Sequence, residues 1–327
     1  MRRPLLALVA LLLAAPAAAR ADGLPVLGLD GNDGVVSADG AYRFVTFTSG
    51  RNTVVSRLRV ADASVARHRT IPGAFTIPAV AYDQSASGLS HDGRTLVLIR
   101  PRTTIPQRRT HLLVLDATRF RVQRELVLPG DFSFDAVAPD GARIFLVQYR
   151  SLSRHNFDPT NYAVRALDVH SGKLDPAPIV DPREPDEKMG GLPVTRATSS
   201  DGRWAYTLYS GSKHPFVHAL DTVGNSARCI DLDALQDRND LFQMRLRLTA
   251  GGKALEVVKA GKPVQLVNTR TFAVAPPPRS ARRAPAHSAT PSRDSGTSPW
   301  PYVLGVAALV LLAAASWRPV ARVARSR

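Results

Sequence analysis

Cysteine is almost absent from this sequence. The single cysteine, Cys229, cannot form a disulfide within the chain, so the folded part has to be held together by its hydrophobic core. We interpret Cys229 as a small buried apolar residue, with a reactive thiol or an intermolecular disulfide as the alternatives. The sequence also lacks an H-E-x-x-H metal motif, a glycine-rich phosphate loop and a G-x-S-x-G elbow. It therefore predicts no catalytic residue, no metal ligand and no cofactor.

A basic stripe of the kind that binds nucleic acid is missing as well. The formal net charge is +16, but residues 1–21, 275–299 and 300–327 carry +3, +3 and +4 of it, which leaves +6 on residues 22–274. Within residues 22–274, lysines and arginines do not cluster among aromatic residues. Nucleic acid is therefore not a predicted partner, and whether a small molecule binds stays open.

The N-terminal segment has the pattern of an export signal. Arg2 and Arg3 precede an apolar run from Leu5 to Leu13, which is too short to span a bilayer. Ala19-Arg20-Ala21 then forms an A-x-A cleavage site. We predict a signal peptide over residues 1–21, with cleavage after Ala19 as the second choice.

The C-terminal segment has the pattern of a membrane anchor. Residues 300–317 carry no charge, and Trp300, Tyr302 and Trp317 stand near their ends, where aromatic rings favour the membrane interface. Eighteen helical residues extend about 27 Å, which is enough for the hydrocarbon core. We predict a transmembrane helix over 300–317, a cytoplasmic basic tail over 318–327 and a proline-rich stalk over 275–299. The expected location is the cell membrane, in a single pass with the large domain extracytoplasmic; a buried core helix is the alternative.

Residues 22–274 contain a repeated pattern. A polar turn followed by strand-forming residues occurs five times, as in LSHDGRTLVLI, and the turns are 53, 48, 61 and 50 residues apart. A second mark, a short strand ending in an acidic or amide residue, recurs at intervals of 54, 52, 53 and 47 residues. The turns are Asp39-Gly40, Asp92-Gly93, Asp140-Gly141, Asp201-Gly202 and Gly251-Gly252, and the second marks are Asp62, Asp116, Asp168, Asp221 and Asn268.

The repeat predicts a β-propeller. Asp-Gly supplies the positive φ angle of a tight hairpin, and four short strands fit one period of about fifty residues, which matches a propeller blade. In the second repeat we expect strands at 86–89, 96–99, 112–115 and 121–128. The predicted fold class is all-β, with about five four-stranded blades in residues 22–274 and one C-terminal transmembrane helix. Residues 71–88 exceed the length of a simple connection, so six or seven blades stay open.

The first repeat, DGAYRFVTFTSGRNTVVSRLRVADASV, resembles the YVTN-type propeller repeat of bacterial and archaeal surface proteins. Phe44-Val45-Thr46 and Asn52-Thr53-Val54 match that pattern, while Phe47 stands where the family has asparagine. The other repeats keep only the skeleton of turn and strand. The resemblance covers residues 35–274 and implies the propeller fold, but propellers include binding modules, lactonases and quinone-dependent enzymes alike.

Two local groups of residues suggest chemistry, and each has a simpler interpretation. Ser90-His91-Asp92 has the composition of a catalytic triad, but three adjacent residues on a tight turn cannot easily align as one. The acidic stretch at 181–188 could bind calcium, but its two prolines and two basic residues favour a solvated loop. We therefore interpret both as parts of surface turns.

The innermost strands of a propeller line its central channel, which is where a ligand would bind. These strands offer mostly small residues here, and the candidate binding residues are Asp135, Arg196 and Arg245. The sequence favours a membrane-anchored binding module for a protein, a glycan or another envelope polymer. The alternative is a propeller enzyme of the lactonase or quinone-dependent dehydrogenase type.

Overall fold

The computed structural model of the protein describes residues 34–150, 162–186 and 189–277. These residues form eighteen strands and two single-turn 3-10 helices, Asp233–Leu235 and Leu241–Gln243. In chain order the strands are β1 (Val35–Val36), β2 (Tyr42–Ser49), β3 (Asn52–Arg59), β4 (Val65–Pro72), β5 (Thr95–Ile99), β6 (Arg109–Asp116), β7 (Arg121–Pro129), β8 (Asp131–Val137), β9 (Arg143–Tyr149), β10 (Tyr162–Asp168), β11 (Pro193–Thr198), β12 (Trp204–Tyr209), β13 (Phe216–Asp221), β14 (Ser226–Asp231), β15 (Met244–Leu248), β16 (Ala254–Lys259), β17 (Lys262–Asn268) and β18 (Val274–Ala275).

The strands pair into five antiparallel sheets, each built from consecutive strands. Sheet 1 contains β1–β4, sheet 2 β5–β7, sheet 3 β8–β10, sheet 4 β11–β14 and sheet 5 β15–β18. Single bridges add the fourth strand to sheets 2 and 3, through Leu89 opposite Leu96 and Leu174 opposite Leu167. Consecutive four-stranded antiparallel sheets are the blades of a β-propeller. The described residues therefore confirm the predicted all-β propeller architecture, with five sheets.

The Asp-Gly turns explain why the repeat is visible in the sequence. Gly40, Gly93, Gly141 and Gly202 all have φ between +69° and +73°, a conformation that residues with a side chain seldom adopt. Each of these glycines lies in the connection between the innermost strand of its sheet and the next strand. Because the hairpin requires the same backbone geometry each time, the same dipeptide recurs.

Packing between neighbouring sheets supplies the core. Separate hydrophobic clusters join sheet 1 to sheet 2, sheet 2 to sheet 3, sheet 3 to sheet 4 and sheet 4 to sheet 5. Phe120, for example, is 2% exposed and stacks on Phe44 of sheet 1, with ring centroids 6.1 Å apart. Strand β13 contributes to clusters on both faces of its sheet, because Val217 faces sheet 5 while Phe216 and Leu220 face sheet 3. This two-sided burial is the reason why its sequence reads as a nearly continuous apolar run.

No hydrophobic cluster among the described residues joins sheet 5 to sheet 1. Within each of the five sheets, the first and last strands are not hydrogen-bonded to each other. The long segment between sheets 1 and 2 makes a different connection. The backbone N–H of Tyr82 donates to the Pro193 carbonyl at 2.8 Å, and the Tyr82 ring packs edge-on against Phe242. Asp83 lies 3.5 Å from Arg245. The residues left open as a sixth blade form a short hairpin, with Ala79 opposite Ala86, whose backbone groups also bond to β5 and β11. Among the described residues they make no separate four-stranded sheet, and they connect sheet 2 to sheets 4 and 5.

Several predictions fall outside this description. The signal peptide, the transmembrane helix, the basic tail and all of the stalk beyond residue 277 lie outside the described residues. Among the residues that are described, no helix is both long enough and apolar enough to cross a membrane. The predicted anchor and its orientation therefore stay predictions.

Candidate functional site

A cavity lies at the end of the propeller where the Asp-Gly turns are. We call it the mouth cavity. Its volume is about 450 Å³, and residues from sheets 1, 2, 3 and 4 line it, so it marks the place where the innermost strands converge. Hydroxyl groups come from Ser87, Ser90, Thr198, Ser199, Ser200 and Thr222, and the apolar lining comes chiefly from Val35, Val36, Ala86, Leu89, Ala136 and Val137.

The turns at the rim of the mouth cavity are braced by their own side chains. In sheet 2 the Ser90 hydroxyl donates to Asp92 at 2.5 Å and accepts the backbone N–H of Thr95 at 2.9 Å. The turn in sheet 1 repeats this arrangement with Ser37 and Asp39, at 2.6 Å. Since the Ser90 proton is directed to Asp92 and not to His91, the Ser-His-Asp run does not have the geometry of a catalytic triad. Its serine and aspartate serve the turn, as the simpler interpretation held.

Asp135 and Arg196, two of the three predicted binding residues, contact each other; Arg196 lines the mouth cavity, and Asp135 does not. The Arg196 guanidinium forms an ion pair with the Asp135 carboxylate and donates a second hydrogen bond to the Asp135 carbonyl at 3.1 Å. The two side chains are only 5% and 3% exposed, so the pair links sheets 3 and 4 inside the protein. One carboxylate oxygen of Asp135 has no hydrogen-bond partner among the described residues.

Arg245, the third predicted residue, lies elsewhere. Its side chain is half exposed, and its Nε lies 3.5 Å from the Asp83 carboxylate of the connector. Its backbone belongs to β15, but its guanidinium does not line the mouth cavity. The structure therefore brings Asp135 and Arg196 together and places Arg245 apart from them.

The ion pair is the inner end of a row of polar side chains that sequence reasoning missed. Across sheet 4, Arg196 pairs with Thr207, Thr207 with His218, and His218 with Cys229. Paired residues in antiparallel strands point to the same face, which here is the face toward sheet 3. We call these four residues the polar row. The row could have been found by noticing that His218 interrupts the apolar sequence of a central strand.

Several polar atoms of the polar row lack partners. The Thr207 hydroxyl, the Arg196 Nε and both ring nitrogens of His218 are buried without a hydrogen-bond partner among the described residues. The pKa of His218 is lowered to about 4, chiefly by burial; the negative charges of Asp135 and Asp181 oppose the change and the positive charge of Arg196 adds to it. His218 is therefore neutral at physiological pH, with one nitrogen able to donate and the other able to accept.

The described part of the acidic stretch at 181–188 is not fully solvated, which corrects that interpretation. The Asp181 side chain is buried, forms an ion pair with Arg183 at 2.5 Å and accepts the backbone N–H of Cys229 at 2.9 Å. Burial alone would raise the pKa of Asp181, but the hydrogen bonds from Arg183 and Cys229 outweigh it and lower the pKa to about 2. Asp181 thus ties sheet 3 to the outer strand of sheet 4, while the neighbouring Glu184 is exposed.

Within residues 34–150, 162–186 and 189–277, no group of three or more histidine, cysteine, aspartate or glutamate side chains has the geometry to hold a metal ion. The only described contacts of the Asp135 carboxylate are with Arg196. The mouth cavity offers hydroxyl groups, small apolar side chains, the His91 side chain and Arg196, whose charge is neutralised by Asp135.

Comparison with known proteins gives a likeness of fold. No family model matches the chain, and no curated protein matches it. Among solved structures, hydrazine synthase of Kuenenia stuttgartiensis is 17% identical with a TM-score of 0.43, and the match covers 74% of this chain and 64% of that one. TolB of Acinetobacter baumannii is 10% identical with a TM-score of 0.41, and the match covers 72% of this chain and half of that one.

An oligogalacturonate lyase in complex with manganese is 12% identical with a TM-score of 0.44, and the match covers 75% of this chain and 63% of that one. This chain therefore spans about half to two thirds of the length of these structures. Since every TM-score is below 0.5, the assignment of five blades depends on the strand pairing of this chain itself.

Proposed function

We propose that this chain is an exported, single-pass membrane protein whose propeller is a binding module for a partner protein. The observation that carries the proposal is the mouth cavity, where four sheets contribute hydroxyl groups and small apolar side chains around a neutralised ion pair. Concave sites with a mainly apolar lining and a few placed polar groups are where propellers and other folds bind ligands.

The lining favours a polypeptide segment over a glycan. About half of the residues named above are alanine, valine or leucine, and a sugar would leave desolvated hydroxyl groups against them. A peptide segment can place a small apolar side chain there while its backbone hydrogen-bonds to the serine and threonine hydroxyls. The ion pair between Asp135 and Arg196 is internally neutral, so it does not require a charged ligand.

The export signal, the stalk and the charge-free run at 300–317 support the proposed location. A signal peptide followed by a folded domain and an apolar segment with a basic flank places the domain outside the membrane. Protease added to intact cells should then remove the propeller and leave a small C-terminal fragment. Full protection of the propeller in intact cells, with digestion after lysis, would refute this location.

The experiment that tests binding is photo-crosslinking on intact cells. A photoreactive amino acid replaces Ala38 or Ser200, which are exposed residues lining the mouth cavity, or Val223, which is 61% exposed and does not line it. We expect one discrete protein adduct from positions 38 and 200 and none from position 223. Equal adducts from all three positions, or an adduct sensitive to glycosidase and not to protease, would contradict the proposal.

A further inference from the structure

A second cavity lies between sheets 3 and 4, at the outer end of the polar row. We call it the lateral cavity. Its volume is about 220 Å³, and its lining includes Tyr162, Ile179, Met189, His218 and Cys229. Met189 also packs against the hydrophobic clusters on both sides of the polar row. An imidazole, a thiol and a thioether therefore line one small space, together with apolar side chains and the charged residues Arg150, Asp181, Glu184 and Asp186.

His218 is the unusual member of its repeat. Three residues before the acidic or amide mark, the other four repeats have Arg59, Leu113, Arg165 and Gln265. Leu113 is apolar, Arg165 donates to Gln148 at 2.7 Å, and Gln265 donates to a backbone carbonyl at 2.7 Å. His218 is 1% exposed, and neither of its nitrogens has a hydrogen-bond partner among the described residues. Buried polar groups are normally satisfied, so an unpaired imidazole that lines the lateral cavity has both nitrogens available to a ligand there.

Cys229 lies directly opposite His218 in the sheet. The Cβ atoms of such a cross-strand pair are about 4.5–5.5 Å apart, which lets a thiolate sulfur and an imidazole nitrogen reach one ion. Thiolate, thioether and imidazole are ligands of soft or borderline metal ions, and the two sulfur donors select for Cu(I). Hard cations prefer several oxygen ligands. The buried carboxylate beside the cavity, Asp181, is already held by Arg183 at 2.5 Å and lies 3.7 Å from Arg228.

We propose that the lateral cavity is a binding site for one soft monovalent metal ion, Cu(I) or its analogue Ag(I), with Cys229, His218 and Met189 as the ligands. Cys229 binds as the thiolate and releases its proton to solvent when the ion enters. His218 binds through one ring nitrogen and needs no deprotonation, because it is neutral. The ion links β13 and β14 of sheet 4 to the segment that follows sheet 3, so it stabilises the contact between these two sheets.

The test measures Cu(I) binding by the purified full-length chain, in detergent, without oxygen and without a histidine tag. A chromogenic Cu(I) chelator competes for the ion. We expect one ion per chain, and we expect His218→Leu and Met189→Leu each to weaken affinity by about tenfold or more. Cys229→Ser should abolish competitive binding. The matched control is His214→Leu, a histidine that lies 3.5 Å from Asp231 and outside the lateral cavity, and this variant should bind as the wild type does.

X-ray absorption of the loaded chain should show two sulfur ligands and one nitrogen ligand. The proposal is wrong if the wild type binds no Cu(I). It is also wrong if His218→Leu and Met189→Leu retain wild-type affinity, because the ion would then be bound by a lone thiol. Preferential binding of Ca²⁺ over Cu(I) would overturn it as well. If His218→Leu does not fold, Met189→Leu decides, since leucine is close to methionine in volume and is usually tolerated.

Discussion

The ion pair between Asp135 and Arg196 allows the sharpest test of how sheets 3 and 4 are held together. Both side chains are almost fully buried, so Arg196→Met leaves the Asp135 carboxylate charged and without its partner. Breaking a buried pair from one side costs about 3–5 kcal/mol. For a domain of this size, 1 kcal/mol shifts the melting temperature by about 2–4 °C, so the single variant should melt roughly 6–20 °C below the wild type.

The double variant Asp135→Asn/Arg196→Met removes both charges. Since replacing a whole buried pair by neutral groups is often close to neutral, we expect it to recover most of the lost melting temperature. Circular dichroism at several urea concentrations measures each free energy of unfolding, and the cycle gives the coupling energy. The control is Arg143→Met, whose partner Asp175 is about as exposed as Arg143, and it should cost at most about 1 kcal/mol.

If the double variant is no more stable than Arg196→Met, the two charges are not coupled. If Arg196→Met and Arg143→Met cost the same, the pair between sheets 3 and 4 is not buried as the structure has it. Either result would refute the reasoning about the polar row.

Three further perturbations test other parts of the fold. Asp181 has a pKa of about 2 in the folded protein and an ordinary value of 3.8. The stability it confers is therefore present above about pH 4 and is lost as the pH falls toward 2. Asp181→Asn should make the free energy of unfolding less dependent on pH over that interval. Gly211→Ala places a Cβ 1.8 Å from a backbone carbonyl oxygen, whereas the Cβ of Gly93→Ala, at a similar positive φ, meets open space. In thermal melts, Gly211→Ala should therefore lose about 1–3 kcal/mol more free energy of unfolding than Gly93→Ala. Phe120→Ala should cost about 3–5 kcal/mol in urea unfolding by emptying the core between sheets 1 and 2, and a loss below 1 kcal/mol would show that this ring is not buried there.

The sequence predicted the local structure well where the cause is local. In the second repeat, strands were expected at 86–89, 96–99, 112–115 and 121–128. The structure has Thr95–Ile99, Arg109–Asp116 and Arg121–Pro129, and it has single bridges at Ala86 and Leu89 in place of the first strand. A hairpin needs positive φ at one position and strand formers after it, and both requirements are met by consecutive residues.

The candidate binding residues could be predicted less well, because their position depends on contacts between sheets. Asp135 and Arg196 do meet. Arg245 instead pairs with Asp83, which lies in the segment at 71–88 that is longer than a simple connection requires.

The repeat and the turn chemistry were determined by the sequence alone, because each repeat specifies its own strands by short-range preferences. The sequence left five, six or seven blades open, and the strand pairing gave five sheets. Only the tertiary structure decided what lies between the sheets. His218 and Cys229 are eleven positions apart in the chain, and Met189 belongs to a segment after a different sheet. Strand register, which is fixed by the burial of both faces of sheet 4, sets His218 opposite Cys229, and the packing of sheet 3 against sheet 4 brings Met189 to the same cavity. Side chains that meet through register and packing leave no local pattern in the sequence.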